Sequence, residues 1–110
     1  ALLSAFGEDR LEACIKATSF PRFTDKTIAT AGSLRKEVQA TRQRGYSFDD
    51  EERTIGMRGV AACILNGHSE AVAGISISGP TPRMPDARIR EMGLLVTEAA
   101  REISRRLGAS

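Results

Sequence analysis

Two serines on one predicted strand, Ser76 and Ser78, are the first residues that could do chemistry. They alternate with isoleucines, so in a strand both hydroxyls point to the same face. A serine nucleophile needs a neighbouring base. The only histidine, His68, is expected at the turn end of this strand, which argues against a hydrolase. The hydroxyls could instead donate to a polar ligand.

An acidic run from Asp49 to Glu52 is the second such feature. Carboxylate oxygens bind divalent cations, but the run lacks the EF-hand spacing with a glycine at the sixth position. Cys14, Cys63 and His68 lie too far apart in sequence for zinc. We therefore predict no metal and no cofactor, and we interpret the run as a solvated loop. Cys14 and Cys63 are too few to form a disulfide scaffold, which is typical of a protein in the reducing cytoplasm.

Helices and strands must position these residues. Their predicted order indicates a mixed α+β domain with an antiparallel sheet flanked by helices. Apolar periodicity and capping signals place the helices over 8–17, between a Ser33 cap and Gly45, and over 85–107. Strands are expected over 46–48, 55–65 and 70–78.

Asn66-Gly67 between two apolar runs predicts a hairpin with a two-residue type I′ turn. In that register Leu65 pairs with His68, and Gly59 lies opposite Gly74. One face carries large apolar residues and should pack on the last helix. The other carries Met57, Gly59, Ala61, Cys63, Val72, Gly74, Ser76 and Ser78. Its small and hydroxylated residues fit either a ligand pocket or the close approach of a helix.

The composition is that of an ordinary globular domain. Hydrophobic residues make up 41% and charged residues 27% of the 110, which excludes a disordered or collagen-like chain. No apolar stretch approaches the ~20 residues of a membrane span, so we expect no membrane contact. A net charge of +2 is too small to indicate nucleic-acid binding. Because the chain starts without Met inside an apolar pattern, we expect it to be part of a longer protein.

Three segments, in order, resemble IclR-type transcriptional regulators. They are RGYSFDDEE at 44–52, GMRGVAA at 56–62 and AGISISGP at 73–80. The resemblance implies that residues 1–110 are part of a carboxy-terminal effector-binding domain with a GAF-like fold. It also implies that the amino-terminal winged helix-turn-helix domain, which binds DNA, lies outside this sequence. Such effector domains associate into dimers and often tetramers.

The resemblance also implies a ligand site. In members that bind small carboxylates, an Asp, a Cys and two Ser contact the ligand, and the Asp and Ser positions match Asp49, Ser76 and Ser78. Gly59 stands where the family has the Cys. We therefore predict a ligand larger than the smallest keto acids, with extra room between Gly59 and Gly74. Two anions repel, so Asp49 is expected to accept from a ligand hydroxyl rather than face its carboxylate.

Three functions remain to be weighed. The first is a small-molecule sensor, not an enzyme, that binds its effector at Asp49, Met57, Gly59, Gly74, Ser76 and Ser78. The second is a dimerisation or tetramerisation module whose glycine–serine face packs on a partner. The third is a small hydrolase, for which no base is visible beside the serines.

Overall fold

Three α-helices and one three-stranded antiparallel sheet make up the chain, of which the computed structural model describes residues 1–109. The helices are α1 (Glu8–Ala17), α2 (Ala31–Arg44) and α3 (Asp86–Arg106). The strands are β1 (Ser47–Asp50), β2 (Met57–Leu65) and β3 (Ala71–Pro80). Two short 3-10 helices lie at Leu2–Ala5, here called the leading 3-10 helix, and at Thr81–Arg83. The predicted α+β class is confirmed.

The ends of α2 show one wrong and one confirmed capping prediction. The N-cap is Thr30 rather than Ser33, and its hydroxyl accepts a hydrogen bond from the Ser33 backbone N–H at 3.1 Å. Thr caps a helix by the same chemistry as Ser, so composition could not distinguish the two positions. Gly45 ends the helix in the left-handed region at φ 92°, as its position predicts.

The sheet has the order β1-β2-β3, so β2 is central and β3 lies at an edge. Gly59 is paired with Ser78, Ala61 with Ser76 and Cys63 with Gly74. The predicted pairing of Gly59 with Gly74 is therefore wrong by four residues along β3. Since four is an even number, every residue keeps its predicted face.

The hairpin loop explains this shift. Leu65 pairs with Ala71 instead of His68, so five residues from Asn66 to Glu70 form the connection. The Asn66 side-chain oxygen accepts from the backbone N–H groups of His68 at 2.9 Å and Glu70 at 3.1 Å. This side-chain-capped loop, with Ser69 at φ 60°, replaces the predicted two-residue turn.

The main core lies between one face of the sheet and α3. Val60, Ala62 and Ile64 of β2 are buried against a stripe on α3. That stripe consists of Ile89, Met92, Val96 and Ala100. Tyr46 lies so close to Gly93 of α3 that any side chain at position 93 would overlap its ring. The predicted packing of the apolar sheet face on the last helix is confirmed.

A second apolar cluster lies between α1 and α2. Leu11 and Ile15 of α1 pack with Val38 of α2, and Leu3 of the leading 3-10 helix joins them. The leading 3-10 helix also contacts β2 and β3, so it lies over the sheet face that α3 leaves free. No helix within residues 1–109 combines the length and the apolar character needed to cross a membrane.

Candidate functional site

The six predicted site residues lie on one face of the sheet, on the side away from α3. Asp49 of β1 pairs with Gly59 of β2, which pairs with Ser78 of β3. These three residues form one row across the sheet, which we call the Asp49–Ser78 row. The adjacent row is Ser47, Ala61 and Ser76. Gly74 and Met57 lie on the same face. Gly74 lies toward the hairpin loop, and Met57 lies toward the opposite end of the strands.

Strand alternation in β1 aims Asp49 at this face. Phe48 packs into the main core, and Asp50 accepts a hydrogen bond from Arg58 Nε at 3.0 Å. The same guanidinium donates to the Met84 carbonyl and to Asp86 at the start of α3. Because Phe48 and Asp50 are held on the α3 side, Asp49 and Ser47 must point the other way.

Ser47 is a further candidate site residue, which the sequence prediction did not include. The predicted strand ended at residue 48, before Asp49, whereas β1 runs from Ser47 to Asp50. The two-residue spacing between Ser47 and Asp49 was the available signal, since it places both on one face once the strand includes them.

The acidic run is not a loop throughout, since Asp49 and Asp50 are the last residues of β1, and Glu51 and Glu52 open the turn that follows. The interpretation as a loop is therefore wrong for the first two residues, whereas Asp49 is exposed to solvent as expected. Asp49 Oδ1 accepts from the Glu52 backbone N–H at 2.9 Å. The Thr24 hydroxyl donates to the Glu51 carbonyl at 2.6 Å, and the Thr27 hydroxyl donates to the Glu52 carbonyl. The segment before α2 is thereby tied to the turn after β1.

The pKa values of the two glutamates in this turn are shifted in opposite directions. A hydrogen bond from the Gly56 backbone, together with Lys26, lowers the pKa of Glu51. Burial raises the pKa of Glu52, and the negative charges of Asp49, Glu37 and Asp50 act in the same direction. The surroundings of Asp49 are therefore already rich in negative charge.

Gly59 does not provide the extra room that the sequence suggested. A Cβ at this position would lie 3.0 Å from both the Ile77 carbonyl oxygen and Ser78 Cβ. Ser78, rather than Gly74, closes the space opposite Gly59, so the expected enlargement between the two glycines is wrong. At Gly74 the nearest atom to an added Cβ would be the Ala62 carbonyl oxygen at 3.6 Å.

Two grooves border the face, one on each side of the leading 3-10 helix. A groove of about 270 Å³, the Asp49 groove, is lined by Asp49, Ser47, Glu37, Glu52 and apolar residues. A second groove, the Ser76 groove, lies between Leu2–Leu3 and the segment of Ala61, Gly74 and Ser76. Ala1 and Leu3 line both grooves.

The walls of the Asp49 groove carry carboxylates, hydroxyls and apolar groups, whereas those of the Ser76 groove carry the Ser76 hydroxyl and apolar groups. Neither groove is lined by a lysine or arginine among the described residues. A ligand carboxylate would therefore not meet a cationic side chain there, whereas a ligand hydroxyl could donate to Asp49. A larger groove of about 500 Å³, beside Tyr46, Cys63 and Thr97, contains none of the six predicted residues.

A hydrolytic site is not assembled on this face. His68 lies in the hairpin loop, several residues along β3 from Ser76 and Ser78, and accepts no hydrogen bond from either serine. Within residues 1–109 no group of three or more His, Cys, Asp or Glu side chains could hold a metal ion.

The comparisons with known proteins decide the family. A family model described as bacterial transcriptional regulator IclR C-terminal matches residues 1–105. The chain belongs to the IclR C-terminal family. This agrees with the resemblance of the three sequence segments described above.

Relatives of this IclR-family chain are transcriptional regulators rather than enzymes. The acetate operon repressor of Salmonella typhimurium is 38% identical over 110 residues, which are 100% of this chain and 40% of that protein. The HTH-type transcriptional regulator BhcR of Paracoccus denitrificans is 48% identical over 94 residues, 86% of this chain and 34% of that protein. The chain thus spans less than half the length of the curated relatives it matches.

The fold agrees with a solved IclR structure. The crystal structure of the Thermotoga maritima IclR superposes with a TM-score of 0.93 at 34% identity. The match covers 97% of this chain and 43% of that one.

Proposed function

We propose that this IclR-family chain senses a small organic acid or related metabolite on the sheet face away from α3. The single observation that carries the proposal is the Asp49–Ser78 row. It joins a carboxylate and a hydroxyl from two different strands across a glycine that leaves no side chain between them. The adjacent Ser47 and Ser76 extend the same polar surface.

The preferred ligand carries a hydroxyl group as well as an acid. Asp49 has one carboxylate oxygen engaged by the Glu52 N–H, which leaves acceptor capacity for a donor from outside. A ligand carboxylate would be repelled from Asp49 and Glu52, so it would lie toward Ser76 and Ser78, whose hydroxyls can donate to it.

The proposal assigns DNA binding to a winged helix-turn-helix domain outside this sequence. Residues 1–110 then act as part of the effector-binding domain, and the effector changes DNA affinity by favouring one dimer or tetramer arrangement over another. Such a shift requires the ligand to bind the two arrangements with different affinities.

The experiment that tests this function is a thermal-shift screen of the full chain against small hydroxy and keto acids, followed by calorimetry of the acids that stabilise it. We expect Asp49→Ala and Ser78→Ala each to weaken binding about tenfold, the loss of a hydrogen bond to a charged group. Ser19→Ala, in an exposed loop, is the matched control and should leave affinity unchanged. Unchanged affinity in both site variants would refute the proposed site.

An association module without a ligand is the second candidate. The exposed Leu94 and Leu95 favour association through α3 rather than through the glycine–serine face. The two functions separate in the same screen. A chain that associates but is stabilised by none of the acids would favour the association module.

A further inference from the structure

One arginine on the central strand joins the sheet to the last helix. Arg58 directly precedes Gly59 in β2, and its side chain is only 12% exposed. The guanidinium donates to Asp50 Oδ1 at 3.0 Å, to the Met84 carbonyl at 2.7 Å and to Asp86 Oδ1 at 2.8 Å. These three acceptors belong to β1, to the connection after β3 and to the first turn of α3.

The backbone of Arg58 lies in the row next to the Asp49–Ser78 row. It pairs with Asp50 on one side and with Gly79 on the other. Asp50 directly follows Asp49 in the chain, and Gly79 directly follows Ser78. One residue therefore holds both outer strands immediately beside the proposed ligand contacts.

The connection that Arg58 holds is itself packed against β3. Met84 is buried, and a Cβ at Gly79 would lie 3.4 Å from its Cγ. The hydrogen bond from Arg58 to the Met84 carbonyl thus restrains the end of β3 as well as the approach to α3.

The surroundings of the guanidinium leave it little freedom. Its carbon atom lies 4.9 Å from the centre of the Phe48 ring, which packs against the main core. The N–H groups of arginine point in fixed directions in one plane, so the three hydrogen bonds depend on one another. The hydrogen bond from Arg58 holds the pKa of Asp86 below its ordinary value, so this ion pair persists at neutral pH.

We propose that Arg58 is a positioning residue for the effector, which sets the spacing of Asp49 and Ser78 from the α3 side of the sheet and links it to the first turn of α3. This inference rests on the proposed function, because it assigns the effector to the Asp49–Ser78 row. An effector that changes the spacing of the row moves the two strand ends that Arg58 holds, and Asp86 moves with them. Binding on one face of the sheet thereby reaches the helix on the other face through a continuous set of hydrogen bonds.

Amide chemical shifts of the isotopically labelled full chain test the link without any ligand. The carboxylate of Asp86 contacts the sheet through Arg58, so Asp86→Ala should move the Asp49 and Ser78 resonances on the far face. In an Arg58→Gln background the same substitution should no longer move them. Arg88→Ala, at an exposed residue in the same helical turn, is the matched control and should leave both resonances in place.

Lactate, a small 2-hydroxy acid, is the probe for the effect on binding. Titrated into the labelled chain, it should move the resonances of the Asp49–Ser78 row and also those of Ala87 and Arg88 in α3. Arg58→Gln should remove the response in α3 and weaken lactate binding about threefold. Arg35→Gln, which breaks a two-bond pair with Glu12 between α1 and α2, should change neither result.

Three results would overturn the inference. They are unmoved Asp49 and Ser78 resonances in Asp86→Ala, an equal movement with and without Arg58, and a response of α3 to lactate that survives in Arg58→Gln. A purely structural role of Arg58 would lower the Tm but would produce all three of these results.

The substitutions keep the test independent of folding and of the ligand. Asp86 is 77% exposed, so Asp86→Ala should fold, and circular-dichroism melts check each variant. If Arg58→Gln does not fold, Arg58→Lys replaces it, since an ammonium group cannot reproduce the planar set of hydrogen bonds. If lactate moves no resonance of the original chain, the proposed ligand class fails, whereas the comparison of Asp86→Ala with Arg88→Ala still decides the role of Arg58.

Discussion

Asp49 and Ser78 lie in one row across the sheet, with only Gly59 between them. They come from the two outer strands, 29 residues apart in the sequence, and each is held by pairing to the same central residue. A ligand that bridges them would tie β1 to β3 on the face that α3 does not cover. Ligand binding could thereby alter the sheet. Helix α3 packs on the other side of the same sheet.

The role of Asp49 as an acceptor predicts a preference for hydroxy acids. In matched pairs of 2-hydroxy and 2-keto acids, the hydroxy acid should bind about tenfold more tightly, because only it donates to the carboxylate. Asp49→Asn should remove most of this preference while its side-chain oxygen still accepts from the Glu52 N–H. Calorimetry measures the ratio of the affinities for the hydroxy acid and the keto acid, with Asp9→Asn as the control. An unchanged ratio in Asp49→Asn would contradict the assigned role.

The two glycines on the ligand face should respond differently to alanine. Gly59→Ala brings a Cβ to 3.0 Å from Ser78 Cβ and the Ile77 carbonyl, so it should lower the free energy of unfolding by about 1–3 kcal/mol and weaken ligand binding. Gly74→Ala has its nearest neighbour at 3.6 Å and should change stability by less than about 0.5 kcal/mol. Urea denaturation checks both, and equal effects would mean that Ser78 does not close the space at Gly59.

The contact of Tyr46 with Gly93 predicts a large and specific loss of stability. Gly93→Ala should lower the free energy of unfolding by about 2 kcal/mol or more, since the new methyl group overlaps the Tyr46 ring. Gly32→Ala is the control, because a Cβ there meets nothing within 4 Å. Combining Gly93→Ala with Tyr46→Leu should cost less than the sum of the two single losses. Additive losses would argue against the contact.

The raised pKa of Glu52 predicts a pH-dependent effect of its substitution. Its pKa in the folded chain lies above that in the unfolded chain, so its contribution to stability is complete at low pH and is lost as pH rises through the folded pKa. Glu52→Gln cannot lose a proton and can still accept from the Asp50 N–H. The Tm of Glu52→Gln minus that of the original chain should therefore grow from about pH 4 to about pH 7. A difference that stays constant or shrinks with pH would exclude burial of this carboxyl as the cause.

The faces of the hairpin were predictable, but its register was not. The two-residue repeat of the strands separates Val60 and Ala62 from Gly59 and Ala61 whatever the turn, and the structure confirms that separation. The register depends on the Asn66 side chain, which captures two backbone N–H groups and lengthens the loop. The Asn-Gly pair in the sequence does not indicate whether the two-residue turn or the longer loop forms.

The placement of the candidate site residues on one face was predictable, whereas the space around them was not. Motif positions and alternation brought Asp49, Ser76 and Ser78 to one face. The room at Gly59 depended on the register, and the division of the face into two grooves depends on Leu3, more than 40 residues before Asp49 in the sequence. Contacts over that separation leave no local pattern to interpret.

Amide chemical-shift mapping of the isotopically labelled full chain, titrated with hydroxy acids that stabilise it, tests the sensing site most directly. The largest shifts should fall on Asp49, Gly59 and Ser78, and Ser78→Ala should reduce them at the same acid concentration. Shifts concentrated around Cys63 and Thr97, with the Asp49–Ser78 row unchanged, would contradict the proposed site.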